Sequence, residues 1–376
     1  MERETLLSQT RLCAACPKMC RHVCPTFLAW RSDSPTPHGR ALLVYQDLKG
    51  VRPLDDRSIE VLYQCLECSH CLTWCLPEVD VAAIVESTRT RLVSEGREPA
   101  GIRELSDKIR ESHNPFGEPH SSRLDWKRPK TSDGRKIVYF AGCTSSYREK
   151  EIAESTVSVL SKVLGYSVTV SPEEWCCGSP LFRTGQLGSA LEQAHHNTEL
   201  LNSLEGEMVV TSCPGCYRSL TQDYQKHGLV VDKPVVHLSK LLSDSVDRLP
   251  QAESSPVITY HDPCHLGRHA GLYDEPRSVL KHVSKGQLVE MERNKDNAMC
   301  CGNGAGLRAL FPEESRVIGR ARIEQAEATG ATQIVTACPF CKNMLASQAR
   351  SKGFVVDLSE FVMSSVKSSG TKAKTD

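Results

Sequence analysis

Eighteen cysteines in a chain of 376 residues constrain the fold more than any other feature. They fall in three groups: eight from Cys13 to Cys75, five from Cys143 to Cys216 and five from Cys264 to Cys341. Structural disulfides suit small secreted scaffolds that lack an adequate core. This chain is long enough for two or three domains with cores of their own. Five cysteines in each later group also leave one unpaired under any internal pairing. Metal centres explain the cysteines better than disulfide staples.

The remaining composition sets bounds. Hydrophobic residues make up 39% and charged residues 24%, ordinary values for a water-soluble protein. Lys plus Arg equals Asp plus Glu at 46 each, so no net charge draws the chain to nucleic acid or an anionic membrane. The N-terminus, MERETLLSQTRLC, has no continuous apolar segment or small-residue cleavage signal, and no stretch approaches the ~20 apolar residues of a membrane span. The expectation is a cytoplasmic protein with no direct membrane span, membrane-associated only through a partner subunit.

Residues 1–111 read as a helical domain, with helical patterns at Gly39–Leu48, Asp56–Cys65, Val81–Val93 and Ile102–Arg110. Between them lie Cys13-x2-Cys16-x3-Cys20-x3-Cys24-Pro25 and Cys65-x2-Cys68-x2-Cys71-x3-Cys75. Such spacing lets three thiolates of one loop face a single cubane, while the fourth cysteine ligates the other cluster, as in two-cluster ferredoxins. On that pattern Cys65, Cys68, Cys71 and Cys24 hold one 4Fe–4S cluster, and Cys13, Cys16, Cys20 and Cys75 the other. Two departures stand out: one extra residue between Cys16 and Cys20, and Leu76-Pro77 in place of a directly following Pro. Two sets of four cysteines would also satisfy tetrahedral zinc, but the pairing of the two runs favours iron–sulfur. His22, His38 and His70 lie close to these cysteines and read as solvated or supporting residues, because four cysteines per cluster are already present.

Residues 112–135, rich in Pro, Ser, His and charge, read as a linker. Beyond it the pattern alternates. Strands are expected at Lys136–Ala141, Ser167–Val170 and Met208–Thr211, with helices at Glu149–Leu164, Thr184–Leu204 and Tyr217–His227. The order then recurs, with strands at Val257–Tyr260, Gln287–Met291 and Gln333–Thr336. Matching cysteines are offset by 121 (Cys143 to Cys264), 124 (Cys176 to Cys300) and 125 (Cys213 to Cys338). The closing segments VVHLSKLL at Val235–Leu242 and VVDLSEFV at Val355–Val362 also match. This is an internal duplication of an α/β unit, covering 136–250 and 251–363, with a disordered polar tail at 364–376.

Each unit presents a lone cysteine after a strand, then Cys-Cys-Gly, then Cys-Pro-x-Cys. These are Cys143, Cys176-Cys177-Gly178 and Cys213-Pro214-Gly215-Cys216, and again Cys264, Cys300-Cys301-Gly302 and Cys338-Pro339-Phe340-Cys341. Carboxyl ends of strands are where α/β sheets gather ligands. Adjacent side chains on extended backbone point to opposite faces, so the vicinal thiols converge only where the chain turns, which Gly178 and Gly302 permit. Five thiolates exceed what one tetrahedral zinc uses. Zinc is the alternative occupant of one unit. The C-x-x-C pairs resemble redox motifs, but their place within a five-cysteine set favours ligation.

The stretches FAGCTSSYRE, EEWCCGSPLFRTGQ, TSCPGCYRSL, YHDPCHLGRH, MCCGNGAGLRALFPE and TACPFCKNML resemble the cysteine-rich "CCG" domain family. Together with the N-terminal runs, the arrangement over residues 10–362 is similar to the catalytic iron–sulfur subunit of heterodisulfide reductase. It also resembles the iron–sulfur subunits of glycolate, lactate and glycerol-3-phosphate dehydrogenases. The resemblance implies an α+β multidomain protein, with a helical ferredoxin-like domain followed by two duplicated modules. It further implies that all five cysteines of each module hold a non-cubane 4Fe–4S cluster and that a disulfide is reduced between the two. All ten cysteines are kept here. Cleaving a disulfide takes two electrons while cubane clusters carry one at a time, so two facing centres fed by the N-terminal pair fit that chemistry. His265, beside Cys264, is the candidate proton donor because imidazole titrates near neutrality. Arg148, Arg183, Arg268, His269, Arg308 and Lys342 lie beside the cysteines, where each could either greet an anionic substrate or pair with nearby Glu. The second reading is an electron-transfer subunit of a flavin-dependent dehydrogenase that delivers electrons to quinone. No flavin or nucleotide fingerprint is present: the glycines of CGNGAG lack a strand–turn–helix context. A flavoprotein or cytochrome b-type partner is therefore expected.

Overall fold

Short apolar runs rich in Val, Ile, Tyr and Thr make the strands, and both faces of each are covered. The computed structural model describes residues 1–253 and 256–370. In the first module β1 (Lys136–Phe140), β2 (Ser167–Thr169), β3 (Val209–Thr211) and β4 (Val235–His237) form a parallel sheet in the order β2-β1-β3-β4. In the second, β5 (Ile258–His261), β6 (Leu288–Val289), β7 (Gln333–Thr336) and β8 (Val355–Asp357) repeat it as β6-β5-β7-β8. Tyr139 lies opposite Val210, and Tyr260 opposite Val335. The matched closing segments each become a strand followed directly by a helix, Leu238–Asp244 or Leu358–Gly370. In both sheets the chain reverses its strand order beside the first strand, so β1/β3 and β5/β7 are the topological switch points where such sheets bind ligands.

The two modules share one core. Tyr139, Val157, Leu160 and Leu242 of the first belong to the same buried cluster as Tyr260, Val279, Phe361 and Val362 of the second. Each such side chain removed from water contributes about 1.5–3 kcal/mol, which holds the modules in a fixed relation.

Several expectations change in detail. The helix expected over Glu149–Leu164 is α-helical at Lys150–Ser158 and widens to a π turn at Val159–Val163. The helix expected over Thr184–Leu204 is two, Ser179–Thr184 and Leu187–Ser203. They break at Gly185, where φ is +84° and a Cβ would stand 2.4 Å from the backbone of Arg89. The segment read as a linker, 112–135, is packed: Asn114, Arg123 and Trp126 are buried, and Arg123 forms an ion pair with Glu174 of the first module. Residues 364–370, read as part of a disordered tail, continue the last helix, because Ser365 is buried and Val366 packs against the shared core. The remainder of that tail, 371–376, lies outside the described residues.

The N-terminal helices Pro37–Leu48, Asp56–Tyr63, Val81–Ser94 and Ala100–Ser112 match the sequence pattern closely. Asp55 and Asp80 cap two of them by accepting the backbone N–H of Ser58 and Ala83. Arg89, fully buried on Val81–Ser94, ties this layer to the modules. One guanidinium nitrogen donates to Glu67 Oε1 at 2.8 Å, to the Arg183 carbonyl at 2.7 Å and to the Ala305 carbonyl at 3.3 Å. The other donates to the carbonyls of Leu62 and Cys65 at 2.7 and 2.8 Å. Removing this cation takes the nearer of two arginines from the buried Glu67 carboxylate and a donor from four carbonyls, and loss of one partner of a buried pair costs about 3–5 kcal/mol. Arg89→Met is therefore expected to lower the stability read from urea unfolding by that amount. Arg110→Met, which breaks only the exposed pair with Asp107, is expected to stay within ~1 kcal/mol of wild type.

Candidate metal centres

The two N-terminal cysteine runs fold into matching loops, each carrying one 3-10 turn (Arg21–Val23, Leu72–Trp74) between its third and fourth cysteine. Cys24 then stands before helix Pro25–Trp30. One small cavity, of about 20 Å³, is lined by Cys13, Cys16, Cys20 and Cys75. A second, of about 20 Å³, is lined by Cys24, Cys65 and Cys68. Cys71 borders both. The extra residue between Cys16 and Cys20 is absorbed by Lys18 in the left-handed region, with φ at +67°, which returns Cys20 to the cavity of Cys13. Burial and the neighbouring thiols push Cys13 and Cys20 up to about 12, and burial raises Cys71 as well. Without a cation these thiols resist ionisation. Backbone N–H groups of Glu67 and Val79 are already aimed at the sulfurs of Cys65 and Cys75, at 3.4 and 3.3 Å. His38 hydrogen-bonds the Cys13 carbonyl at 2.9 Å, and the exposed His22 meets the Met19 carbonyl at 3.0 Å. His70 is buried against Asn297 Oδ1 at 3.0 Å, and burial pushes its pKa down to about 3.

All ten cysteines of the modules line one further cavity of about 530 Å³, between the switch points of the two sheets. Their thiols are neighbours along a string. In the first module it runs Cys143, Cys176, Cys177, Cys216, Cys213. In the second the equivalent order is Cys264, Cys300, Cys301, Cys341, Cys338. Cys213 and Cys338 join the two strings, and Cys300 meets Cys68 of the N-terminal loop. The vicinal turns need their glycines: Gly178 and Gly302 have φ of +77° and +92°. Gly142, at +74°, leaves no room for a side chain, since a Cβ there would lie 2.8 Å from Cys216 Sγ.

The charged residues singled out beside the cysteines divide by place. Lys342 pairs with Glu149 and Glu360 at 3.0 and 2.9 Å. Arg268 donates to the carbonyls of Cys68, Asp296 and Ala298, and His269 to that of Glu67. Arg183 lines the cavity but is bound to Asp223 at 2.5 Å and Glu86 at 3.2 Å. Arg148 and Arg308 stand at the cavity, the first paired with Glu118 at 2.8 Å and the second held by the Asn343 amide oxygen at 2.7 Å. His265 also lines it. Burial, then His269 and the arginines Arg218, Arg183 and Arg268, hold its pKa well below the ordinary value. Arg123 has no signal in the sequence: it lies in the segment read as linker, yet its guanidinium reaches Cys143 Sγ at 3.9 Å. Phe116, from the same segment, lines the cavity wall with Leu105 and Phe340.

All eighteen cysteines are free thiols, none in a disulfide. Five thiols in contact per module exceed a tetrahedral set, so the donor chemistry fits iron–sulfur centres. Among the described residues no helix is long and apolar enough to cross a membrane. The CCG cysteine-rich domain matches twice, at residues 137–221 and 258–346. One component of the dihydromethanophenazine:CoB–CoM heterodisulfide reductase of Methanosarcina barkeri is 37% identical over 294 residues, covering 76% of this chain and 72% of that protein. A component of the fumarate reductase (CoM/CoB) of Methanothermobacter marburgensis is 32% identical, over 75% of this chain and 56% of its own. The EtfAB:quinone oxidoreductase of Syntrophomonas wolfei is 30% identical, over 76% and 43%. In overall fold the chain is similar to a hypothetical protein from Helicobacter pylori, with a TM-score of 0.57 at 11% identity over 90% of this chain and 69% of that one. The chain belongs to the heterodisulfide reductase family of CCG-type, cysteine-rich iron–sulfur oxidoreductases.

Proposed function

We propose that this chain reduces a small-molecule disulfide in the cavity between its two CCG modules. Each module's five cysteines hold a non-cubane 4Fe–4S cluster. Two ferredoxin-type cubane clusters, on Cys13, Cys16, Cys20 and Cys75 and on Cys24, Cys65, Cys68 and Cys71, feed them. The observation that carries this reading is the convergence of ten thiols, five from each module, on one cavity. The junction of Cys68 with Cys300 supports a route from the N-terminal layer into the second module first. The bound centres would supply electrons singly, and the half-reaction consumes two electrons and two protons per disulfide to release two thiols.

The chain's own residues have separate tasks. Phe116, Leu105 and Phe340 give the cavity apolar walls for the carbon skeleton of a thiol. Arg148 and Arg308 stand at its edge, one from each module, where they would meet anionic groups on the two halves of a mixed disulfide. His265 would hydrogen-bond a departing sulfur through its neutral ring N–H. Electrons would come from a flavoprotein or cytochrome b-type partner, which also supplies any membrane attachment of this cytoplasmic chain. A second reading, an electron relay passing electrons toward quinone, draws on the likeness to the EtfAB:quinone oxidoreductase.

Dithionite-reduced protein, prepared anaerobically, is expected to be reoxidised by a mixed disulfide of low-molecular-weight anionic thiols, releasing two thiols per disulfide. Absence of turnover with every disulfide tried, alongside rapid reduction by a flavoprotein, overturns the reductase reading in favour of the relay. Metal analysis that returns zinc in one module would confine disulfide chemistry to a single centre and overturn the paired arrangement. A hydrogen bond to a charged group contributes about 1.5 kcal/mol or more, which is about tenfold in affinity. Arg308→Ala is accordingly expected to raise KM for an anionic disulfide about tenfold, to leave kcat within about twofold, and to spare a neutral disulfide. Steady-state kinetics on both substrates checks this.

A further inference from the structure

The two modules differ at one buried position beside their cysteines. His261 ends β5 and is 1% exposed; the offset of 121 that relates Cys143 to Cys264 places Phe140, at the end of β1, as its counterpart. The ring of His261 is oriented by Arg322, whose Nε donates to His261 Nδ1 at 3.0 Å. Arg322 is itself fixed, donating to the Arg293 carbonyl at 2.8 Å and the Gln325 amide oxygen at 2.7 Å. A guanidinium has only donors and keeps its protons, so Nδ1 is the acceptor and the neutral ring carries its hydrogen on Nε2.

A ring nitrogen of His261 and the sulfurs of Cys301 and Cys341 lie within 4.8 Å of one another. Nε2 is buried and has no hydrogen-bond partner, sulfur included, among the described residues, which leaves its N–H free for a thiolate that closes this distance when a centre is bound. Serving as a metal ligand through Nε2 would require loss of that hydrogen to give an imidazolate, while five thiolates are already at hand. Donation to sulfur is the chemistry that remains. In the first module Phe140 has nothing to donate, and the side-chain donor to a cysteine sulfur is instead Arg123, which reaches Cys143 Sγ at 3.9 Å while paired with Glu174.

We propose that Nε2–H of His261 donates a hydrogen bond to the Cys301 thiolate and so raises the potential of the iron–sulfur centre of the second module. Donors to ligand sulfurs stabilise the reduced, more negative state of a cluster and raise its potential. This inference rests on the reading that both modules bind iron–sulfur centres.

The test is a redox titration of the anaerobically reconstituted full chain, followed by EPR, for wild type, His261→Phe and His261→Gln. Loss of the donor is expected to lower the reduced-to-oxidised ratio of one module's cluster about tenfold at fixed potential, equivalent to about 59 mV for a one-electron couple, and to leave the other unmoved. His261→Gln, whose amide can reach the place of Nε2, is expected to restore most of that shift. ¹⁵N-histidine labelling is expected to give a weak hyperfine coupling to one module's cluster, absent in His261→Phe. Unchanged potentials in His261→Phe with full iron and sulfide overturn the inference and leave the proposed function standing. A coupling as strong as that of a directly bound nitrogen, or loss of iron from both variants, also overturns it by making His261 a ligand. Wild-type modules that bind no iron and sulfide overturn the proposed function, and the inference falls with it.

Discussion

A single buried guanidinium holds the three parts of the molecule in register. Arg89 reaches from an N-terminal helix to the carbonyl of Cys65 in the second cysteine loop, to Arg183 in the first module and to Ala305 in the second. Its charge is answered by Glu67, which sits in the loop between Cys65 and Cys68. Arginine suits this place because its planar fork presents five donors at fixed angles and never loses its charge. The neighbouring Gly185 is forced by the same contact, since any side chain there would strike the backbone of Arg89. The positions of the cysteine cavities relative to one another thus depend on a residue that lines none of them.

Much of this arrangement is legible in the sequence. The duplication, the strands that precede Cys143, Cys213, Cys264 and Cys338, and the place of Cys75 beside the opposite loop all follow from spacing and period. Local patterns report such features because they repeat the same short-range geometry. The segment before β1 is different: Pro, Ser and charge give it the composition of a tether, yet Arg123 and Trp126 are buried by a groove formed from distant residues. Composition cannot register that groove. The break at Gly185 is hidden for the same reason, since the helical period runs through it and only the approach of Arg89 interrupts it. His265 shows the limit for chemistry. Its type and its place beside Cys264 are readable, while the arginines that hold its pKa down come from other elements, Arg183 and Arg218 among them.

Duplication gives two modules of the same topology, and their differences are where function can be divided between them. The first module carries Phe140, Arg123 and Glu174 around its cysteines, while the second carries His261 and Arg322. The second also makes the thiol contact with the N-terminal layer. Equal backbones with unequal surroundings give the two halves different electrostatic environments.

The unbroken line of thiols from Cys143 to Cys264, with its branch to Cys68, has a consequence for the protein when stripped of its metal. Neighbouring thiols left without iron are open to oxidation by air, and a disulfide between any two of them removes a pair of ligands. Refilling the centres would then require a reductant before iron, which makes the oxygen history of a sample part of its chemistry.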